Sequence, residues 1–449
     1  KVTVPAGSLS VLNHLEVTLR SDRGPEAVAR AELLLPENVR PTDFYMLYWK
    51  GLVWKEHSPG SWRRRLLWDV LRRRGAADAW SNCKANGREA REAALNHLRT
   101  VPYTASFHQV SIDKAERDPL LSEERLVTME KDVRQRAGEM RPYNPLAHTL
   151  GDENYVTNKP EGRFADTPRA WAAFQQYLRS VYPDLEALNA QWGIDFAAWD
   201  KIRFDNEAQM LTDMDNPSAW VDYRMFVTHH FVDAHRRMRR AIREGDPGVS
   251  VGWDGATQFS SYNGQDWWEL CRDMELVQTY QNAFVPDAGY PWWIFNGQAM
   301  DSFGRTASLR GLWMNKADFD FGGRYVPWHV LLNGWNSIWW WQATFLHPAN
   351  GPVRWDMKLT PIAEPMVAAV KEIKQGPGTL LAHARKDASP IAVHYSATNY
   401  HASTIESGVP DYLGHLGVGT GFWMAPELAA RSGNEDMRKL WGGITPKGH

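Results

Sequence analysis

The sequence predicts an α/β fold in which eight parallel strands close into a TIM barrel and a smaller, flavodoxin-like α/β domain follows. Short apolar runs alternate with helical stretches between residues 41 and 360, a pattern typical of a parallel sheet covered by helices. About eight such units favour a barrel over a doubly wound sheet. A chain of 449 residues with 43% hydrophobic content is long enough for this barrel and a second domain.

Residues 1–40 are predicted to form a short β segment that is not a domain by itself. Apolar Leu15, Val17 and Leu19 alternate with polar residues, which is the period of a strand with one apolar face. The pattern changes to strand, loop and helix at about residue 41, where the barrel is expected to begin.

Seven segments of the barrel have the apolar pattern of strands. They are 44–49, 100–107, 147–150, 249–253, 276–280, 309–314 and 337–341. Helices are predicted between them, near 120–139, 168–182, 217–244, 264–273 and 326–334, and one more follows the first strand, where apolar residues recur at helical spacing.

A second α/β domain is predicted from residue 361 to residue 449. It would open with a helix at 362–374, and the segment 390–396 has the pattern of a buried strand. The final residues 445–449 look like a loop, so we expect this domain to be incomplete in the chain.

Charge and motif content argue against several classes of function. A net charge of −2 lacks the basic footprint of a nucleic-acid binder, and no run of 18 apolar residues predicts a transmembrane helix. Cys83 and Cys271 are expected to be free thiols, since neither lies in a CxxC pattern, and they leave the compartment open. No P-loop, GxGxxG or metal-ligand spacing is found, so we expect neither a cofactor nor a metal.

Tryptophan is the compositional outlier, because its 23 residues exceed both the 15 tyrosines and the 16 phenylalanines. An indole offers a flat apolar face on which the C–H face of a sugar ring can stack. Four tryptophans end or nearly end predicted strands, and barrel sites lie at the carboxyl ends of strands. We therefore predict that a sugar pocket is floored by Trp49, Trp253, Trp313 and Trp341.

The strongest signal is the sequence Gly151-Asp152-Glu153-Asn154, directly after the predicted strand 147–150, with the aromatic pattern that follows it. The pattern runs from 166 to 202 and includes Trp192-Gly193, and further matching segments lie at 220–226, 327–342 and 373–381. In order and spacing these segments resemble glycoside hydrolase family 42, the β-galactosidase family of the retaining clan A barrels.

The resemblance implies that Glu153 is the general acid/base, because members of this clan carry Asn-Glu at the end of the fourth strand. The pair here is Asp152-Glu153. An ionised Asp152 can accept a hydrogen bond from a sugar hydroxyl but cannot donate one. Its charge is expected to raise the pKa of Glu153, which suits an acid catalyst.

The clan's nucleophile, a Glu at the end of the seventh strand, has no counterpart, because no Glu occurs between Glu275 and Glu364. Asp318 lies nearest the expected position and is our first choice for this role, with Asp320 as the alternative. Carboxyls about 5–5.5 Å apart give retention and about 6.5–9.5 Å inversion, and a shortened acid is compatible with either. The other hypothesis is a carbohydrate-binding pseudoenzyme without a nucleophile.

The resemblance also implies substrate contacts at Arg99, before the predicted strand 100–107, at His108, after it, and at Tyr280, which ends the predicted strand 276–280. It implies a carbohydrate substrate, galactoside-like residues at the end of an oligosaccharide or polysaccharide. It further implies a homo-oligomer, a dimer or trimer, since the family's second domain commonly trimerises.

Overall fold

A computed structural model gives the fold of the protein over a set of separate ranges. The described residues are 12–22, 24–34, 44–49, 62–74, 77–108, 110–112, 120–156, 164–165, 167–210, 215–256, 261, 263–280, 298–304, 307–314, 323–340, 352–354, 356–361, 363–384, 392 and 394–406.

Eight parallel strands form a closed barrel, so the predicted TIM barrel is confirmed. The strands follow one another around the ring in chain order, and the last pairs with the first. They are β3 (Tyr45–Trp49), β4 (Ala79–Lys84), β5 (Arg99–Tyr103), β6 (His148–Thr149), β7 (Val251–Ala256), β8 (Leu276–Tyr280), β9 (Leu309–Met314) and β10 (Ser337–Trp340).

Helices lie between the strands and pack on the outside of the barrel. They are α1 (Trp62–Arg73), α2 (Gly87–Leu95), α3 (Glu123–Met140), α4 (Pro168–Val181), α5 (Leu185–Trp192), α6 (Ser218–Gly245), α7 (Trp267–Cys271), α8 (Tyr325–Leu332), α9 (Ala363–Gln375), α10 (Pro377–His383) and α11 (Ala397–Glu406). No helix in these ranges is both long and apolar enough to span a membrane.

The second barrel strand, β4, was not among the predicted strands. Its sequence Ala79-Trp-Ser-Asn-Cys-Lys84 has no β-branched residue and no continuous apolar run. It is a strand because β3 and β5 pair with it on either side. The predicted strand 100–107 also proved too long, since β5 ends at Tyr103 and the following residues leave the sheet.

Side chains alternate between the barrel interior and the surrounding helices, as the period of a strand requires. Leu47, Val101, Leu276 and Trp339 belong to the inner cluster and are fully buried. Their neighbours in sequence, such as Tyr48, pack outward with the helices. Among the described residues, most of the indoles are thus buried in one of these two clusters.

An insertion of two helices follows β6 and is fixed to the barrel through Asp222 on α6. The carboxylate of Asp222 accepts hydrogen bonds from Tyr182 Oη at 2.6 Å and from Trp192 Nε1 at 2.8 Å. Tyr182 follows α4 and Trp192 ends α5, so one half-buried carboxylate connects both helices to α6. These residues are part of the aromatic pattern that the sequence analysis identified.

Helix α9 belongs to the packing of the barrel although it lies beyond the predicted domain boundary at 360. Its residues Met366, Val370 and Ile373 are buried in the outer core. Lys374 Nζ lies 2.5 Å from Asp78 Oδ2, which also accepts from the backbone N–H of Met46 at 2.6 Å. The second domain itself stays a prediction, since residues 407–449 lie outside the described ranges.

The two ends of the described chain agree with the sequence prediction to different degrees. A two-stranded antiparallel hairpin of β1 (Leu12–Ser21) and β2 (Gly24–Leu34) forms within the predicted β segment. The predicted buried strand at 390–396 is wrong where the structure describes it. Ala392 and 394–396 are not in a strand, and Ala392 and His394 are exposed. Helix α11 begins directly afterwards, where the Ser396 hydroxyl accepts from the backbone N–H of Asn399 as an N-cap residue does.

Candidate active site at the carboxyl end of the barrel

Glu153 lies in a tight turn at the carboxyl end of β6. Gly151 has φ of +104° and Glu153 has φ of +46°, so a non-glycine residue occupies the left-handed region. Such a conformation costs on the order of 1 kcal/mol and persists only where the surroundings hold it. Here the Glu153 N–H donates to the carbonyl of Gly255 at 3.1 Å, beyond Asp254 on the neighbouring strand.

The next residue, Asn154, anchors the turn from below. Its side chain is 2% exposed and makes hydrogen bonds in three directions. Oδ1 accepts from the N–H of Phe107 at 2.9 Å, while Nδ2 donates to the carbonyl of Leu150 at 2.8 Å and to His235 Nε2 at 3.0 Å. The Asn154 carbonyl accepts from Gln265 Nε2. We call these five residues the Asn154 network.

Asp254 is a second acid beside this turn, and the sequence analysis did not identify it. It is fully buried, and Thr149 Oγ1 donates a hydrogen bond to its carboxyl group. The same Thr149 oxygen accepts from the Gly151 N–H at 2.9 Å, and the Asp254 N–H donates to the Gly151 carbonyl at 3.3 Å. Asp254 is thereby linked to Gly151 twice, through the Thr149 hydroxyl to its N–H and directly to its carbonyl. Gly151 leads into Asp152 and Glu153.

Burial and like charge shift the proton affinities of these acids upward. Burial, with the charge of Asp152 as a second cause, raises the pKa of Glu153 to about 7. The same two causes raise the pKa of Asp254 well above its ordinary value, against hydrogen bonding from Thr149. The turn therefore contains a carboxyl group, Glu153, that holds its proton up to near-neutral pH, as expected from its neighbour Asp152.

His108 lies beside Glu153, in agreement with its predicted place near the site. Its Nδ1 is 3.1 Å from the Glu153 carbonyl oxygen, to which it can donate, and 3.9 Å from the carboxylate Oε2. The His108 side chain is 45% exposed and that of Glu153 is 24% exposed, so both are open to solvent. A ligand at the mouth of the barrel can therefore reach both groups.

Aromatic rings line the barrel interior on the β3 side. Trp49 meets Tyr103 edge-on at 5.7 Å and Trp313 at 5.4 Å between ring centroids. Trp313 in turn contacts Trp339 at 5.4 Å. Trp49 and Tyr103 are half-buried at the strand ends, whereas the two deeper indoles are buried. The predicted residues Trp49 and Trp313 are thus brought together, and Tyr103 joins them.

Two predicted contacts are corrected by the structure. Arg99 is the first residue of β5, at the amino end of the barrel, where it donates to the carbonyls of Asn144 and Pro145. Trp253 packs outward, with its ring 6.0 Å from that of Trp267 on α7, because the next residue, Asp254, takes the inward direction. Neither side chain reaches the turn that carries Glu153.

Four other predicted residues have no described side chain. Asp318, Asp320 and Trp341 lie outside the described residues. Tyr280 ends β8, as predicted, but only its backbone is described. Within the described ranges, no group of three histidine, cysteine or acidic residues is arranged to hold a metal ion.

Comparison with known proteins shows what this barrel and its acid-bearing turn are similar to. Residues 150–289 match the model of glycoside hydrolase family 42, described as β-galactosidase. A β-galactosidase of Clostridium perfringens is 26% identical over 143 residues, 31% of this chain and 19% of that protein. The chain is therefore family 42-like in the segment that includes Glu153 and β7.

Solved β-galactosidase structures share the fold over most of the chain. The enzyme from the psychrophilic Marinomonas ef1 matches with a TM-score of 0.58 at 14% identity, covering 81% of this chain and 65% of that one. The enzyme from Rahnella sp. R3 matches with a TM-score of 0.59 at 13% identity, covering 90% and 65%. The chain thus spans about 65% of the length of these structures, and at such identities the likeness shows the barrel fold alone.

Proposed function

We propose that the protein is a glycoside hydrolase in which Glu153 is the general acid/base. The observation that carries the proposal is the state of Glu153 itself. It is accessible at the carboxyl end of the fourth barrel strand, and its pKa is raised to about 7. An acid that keeps its proton near neutral pH can give it to the oxygen of a departing sugar.

The groups around Glu153 support this role. The charge of Asp152 opposes ionisation of Glu153, and His108 lies close enough to contact the same ligand. Asp152 in place of the clan's Asn can accept, but not donate, a hydrogen bond from a sugar hydroxyl when ionised. We therefore expect substrate recognition next to the acid to differ from that of enzymes with the Asn-Glu pair.

We propose a galactoside-like residue at the end of an oligosaccharide or polysaccharide as the substrate. The support is the family 42 match, together with the half-buried rings of Trp49 and Tyr103, which offer apolar surface to a sugar. The similar protein of Clostridium perfringens is named a β-galactosidase, which is the reason for choosing galactose.

The second carboxylate is proposed to be Asp318, with Asp320 as the alternative, because they are the acids nearest the expected end of the seventh strand. A retaining mechanism is preferred, and inversion, with one of them activating water, is the variant. If Asp318 is the nucleophile, Asp318→Ala abolishes turnover and azide restores product formation. The anomer first formed, observed by NMR, distinguishes retention from inversion.

Hydrolysis of a panel of nitrophenyl glycosides tests the proposal. We expect the wild type to cleave at least one member, and Glu153→Gln to lower the rate at least ~100-fold, the usual scale for loss of a general acid. Glu139→Gln is the matched control, since Glu139 is an exposed acid on α3. If no member is cleaved while calorimetry detects glycan binding, the pseudoenzyme hypothesis replaces this one.

A further inference from the structure

Asn154 connects the two groups that face a ligand at the mouth of the barrel. It directly follows Glu153 in the chain, and its Oδ1 accepts from the N–H of Phe107, the residue before His108. His108 and Asn154 also form an isolated antiparallel bridge. The relative position of Glu153 and His108 is therefore set through one buried amide.

The orientation of that amide is fixed by its partners. Phe107 N–H can only donate, so it must face Oδ1, and Nδ2 then donates to Leu150 and His235. His235 uses Nδ1 to donate to the carbonyl of Phe231 at 2.8 Å, which leaves Nε2 as the acceptor. The imidazole is thus neutral and in a single tautomer.

His235 is buried between aromatic rings. It is 1% exposed on α6, and its ring lies 4.5 Å from the rings of both Phe107 and Phe231. Burial lowers its pKa to about 4, which agrees with the neutral form that the hydrogen bonds require. Helix α6, outside the barrel, is thus connected through His235 to Asn154, the residue after Glu153.

We propose that Asn154 and His235 are positioning residues that hold the carboxyl group of Glu153 where it can protonate the leaving group. Both are buried, at 2% and 1% exposure. The left-handed conformation of Glu153 needs restraint on both sides, which Gly255 supplies at its N–H and the Asn154 network supplies at the following residue. This inference rests on the proposed acid role of Glu153.

Two substrates that differ in their need for an acid provide the test. A phenyl β-galactoside needs protonation of its leaving group, whereas a dinitrophenyl β-galactoside departs without it. For Asn154→Ala we expect kcat on the phenyl substrate to fall ~30–100-fold, the scale of a misplaced catalytic group, with KM nearly unchanged. On the dinitrophenyl substrate the same variant should retain most of its kcat/KM, which reports the bond-breaking step that needs no acid, whereas the later base-assisted step of a retaining mechanism enters only kcat.

Conservative and control variants complete the experiment. His235→Gln places an amide oxygen near the former Nε2, so we expect kcat on the phenyl substrate within about threefold of wild type, whereas His235→Leu should behave like Asn154→Ala. His401→Gln is the matched control, because His401 is a buried histidine on α11 packed against Trp220. Asn154→Ser replaces Asn154→Ala if the latter does not fold.

The outcomes separate the two proposals. A wild type that cleaves neither galactoside contradicts the proposed function, whatever the variants do. A wild type that cleaves both, with Asn154 and His235 variants losing kcat/KM equally on both substrates or on neither, overturns the positioning role. Selective loss on the phenyl substrate, with recovery in His235→Gln, supports it.

Discussion

At the scale of single residues, Glu153 combines a strained backbone with an acid of raised pKa, and both properties come from its neighbours. Burial is the larger cause of the raised pKa and the charge of Asp152 is the second, while Gly255 and Asn154 fix the main chain on either side. The same turn has two buried supports, one through Asp254 and Thr149 and one through His235. Proton affinity and geometry of the acid are therefore set by different residues and can be changed separately.

The pH dependence of hydrolysis should report the charge of Asp152. Because Glu153 acts in its protonated form and its pKa is about 7, kcat/KM for the phenyl galactoside should fall as pH rises through 7. Asp152→Asn removes the like charge and should move this alkaline limb to lower pH. A pH–rate profile of both proteins measures the shift, and an unmoved limb would show that Asp152 does not act on the acid.

Sequence alone could predict the place of Glu153 because it directly follows a strand pattern, whereas its role as the acid is implied by the family resemblance and stays a proposal. Asp254 gave no comparable signal, since in Gly252-Trp-Asp-Gly255 a lone acid between glycines looks like a turn. His235 and Asn154 are 81 residues apart, and only the packing of α6 against the barrel brings them together. Contacts of this kind depend on tertiary structure and leave no local pattern.

At the scale of elements, the helical insertion α4–α5 depends on one carboxylate. Asp222→Ala leaves the hydroxyl of Tyr182 and the indole N–H of Trp192 without their acceptor, which should cost about 2–3 kcal/mol of unfolding free energy. Urea unfolding measures the cost, and hydrogen exchange should show the loss of protection concentrated in 168–192. Asp222→Asn keeps one acceptor oxygen and should cost less; an equal cost would argue that charge, not hydrogen bonding, matters.

Helix α6 should make the fold sensitive to acid through His235. Its pKa is about 4 in the folded protein and about 6.5 in an unfolded chain. The unfolded state binds more protons between these values, so the contribution of His235 is fully present above pH 6.5 and is lost as pH falls towards 4. His235→Gln, compared with wild type at pH 7.5 and pH 5, should lessen the acid loss by on the order of 1–2 kcal/mol. Parallel curves for the two proteins would contradict this.

Elements were predictable from sequence where their own residues determine them. The pattern for α6 predicted 217–244 against the observed Ser218–Gly245. Strand β4 was missed because its pairing partners, not its composition, make it a strand. The two-residue strand β6 likewise proved shorter than predicted. Its pairing with β7 stops after Thr149, where the chain turns toward Glu153.

At the scale of the whole molecule, an ion pair joins helix α9, which follows the last strand, to the first strands of the barrel. The Asp78 and Lys374 side chains are only 10% and 11% exposed. Lys374→Ala would leave a buried carboxylate without its cation and should lower the unfolding free energy by about 3 kcal/mol. Urea denaturation measures this, with the exposed Lys371→Ala on the same helix as the control. A loss no larger than that of the control would mean that water replaces the ammonium group.

The barrel as a whole could be predicted because alternating strands and helices leave few other arrangements. The described part of the site could not, since it combines residues of β3, β5 and β7 with the turn after β6. The predicted Trp49 and Trp313 were brought together by ring closure, while Arg99 and Trp253 fell on the wrong end or the wrong face of their strands. A shift of one residue along a strand moves a side chain from the inside of the barrel to the outside. Short apolar runs do not determine which residues face inward.

The pairing of β10 with β3 also has a consequence for how the chain is made. A ribosome releases β3 early, yet the strand that completes its other edge is encoded almost 300 residues later, at Ser337–Trp340. Until then a growing chain exposes an open sheet edge and the apolar surface behind it, which chaperones recognise. Nascent chains stalled before residue 337 should therefore remain sensitive to protease, and resistance should appear abruptly once the last strand has emerged.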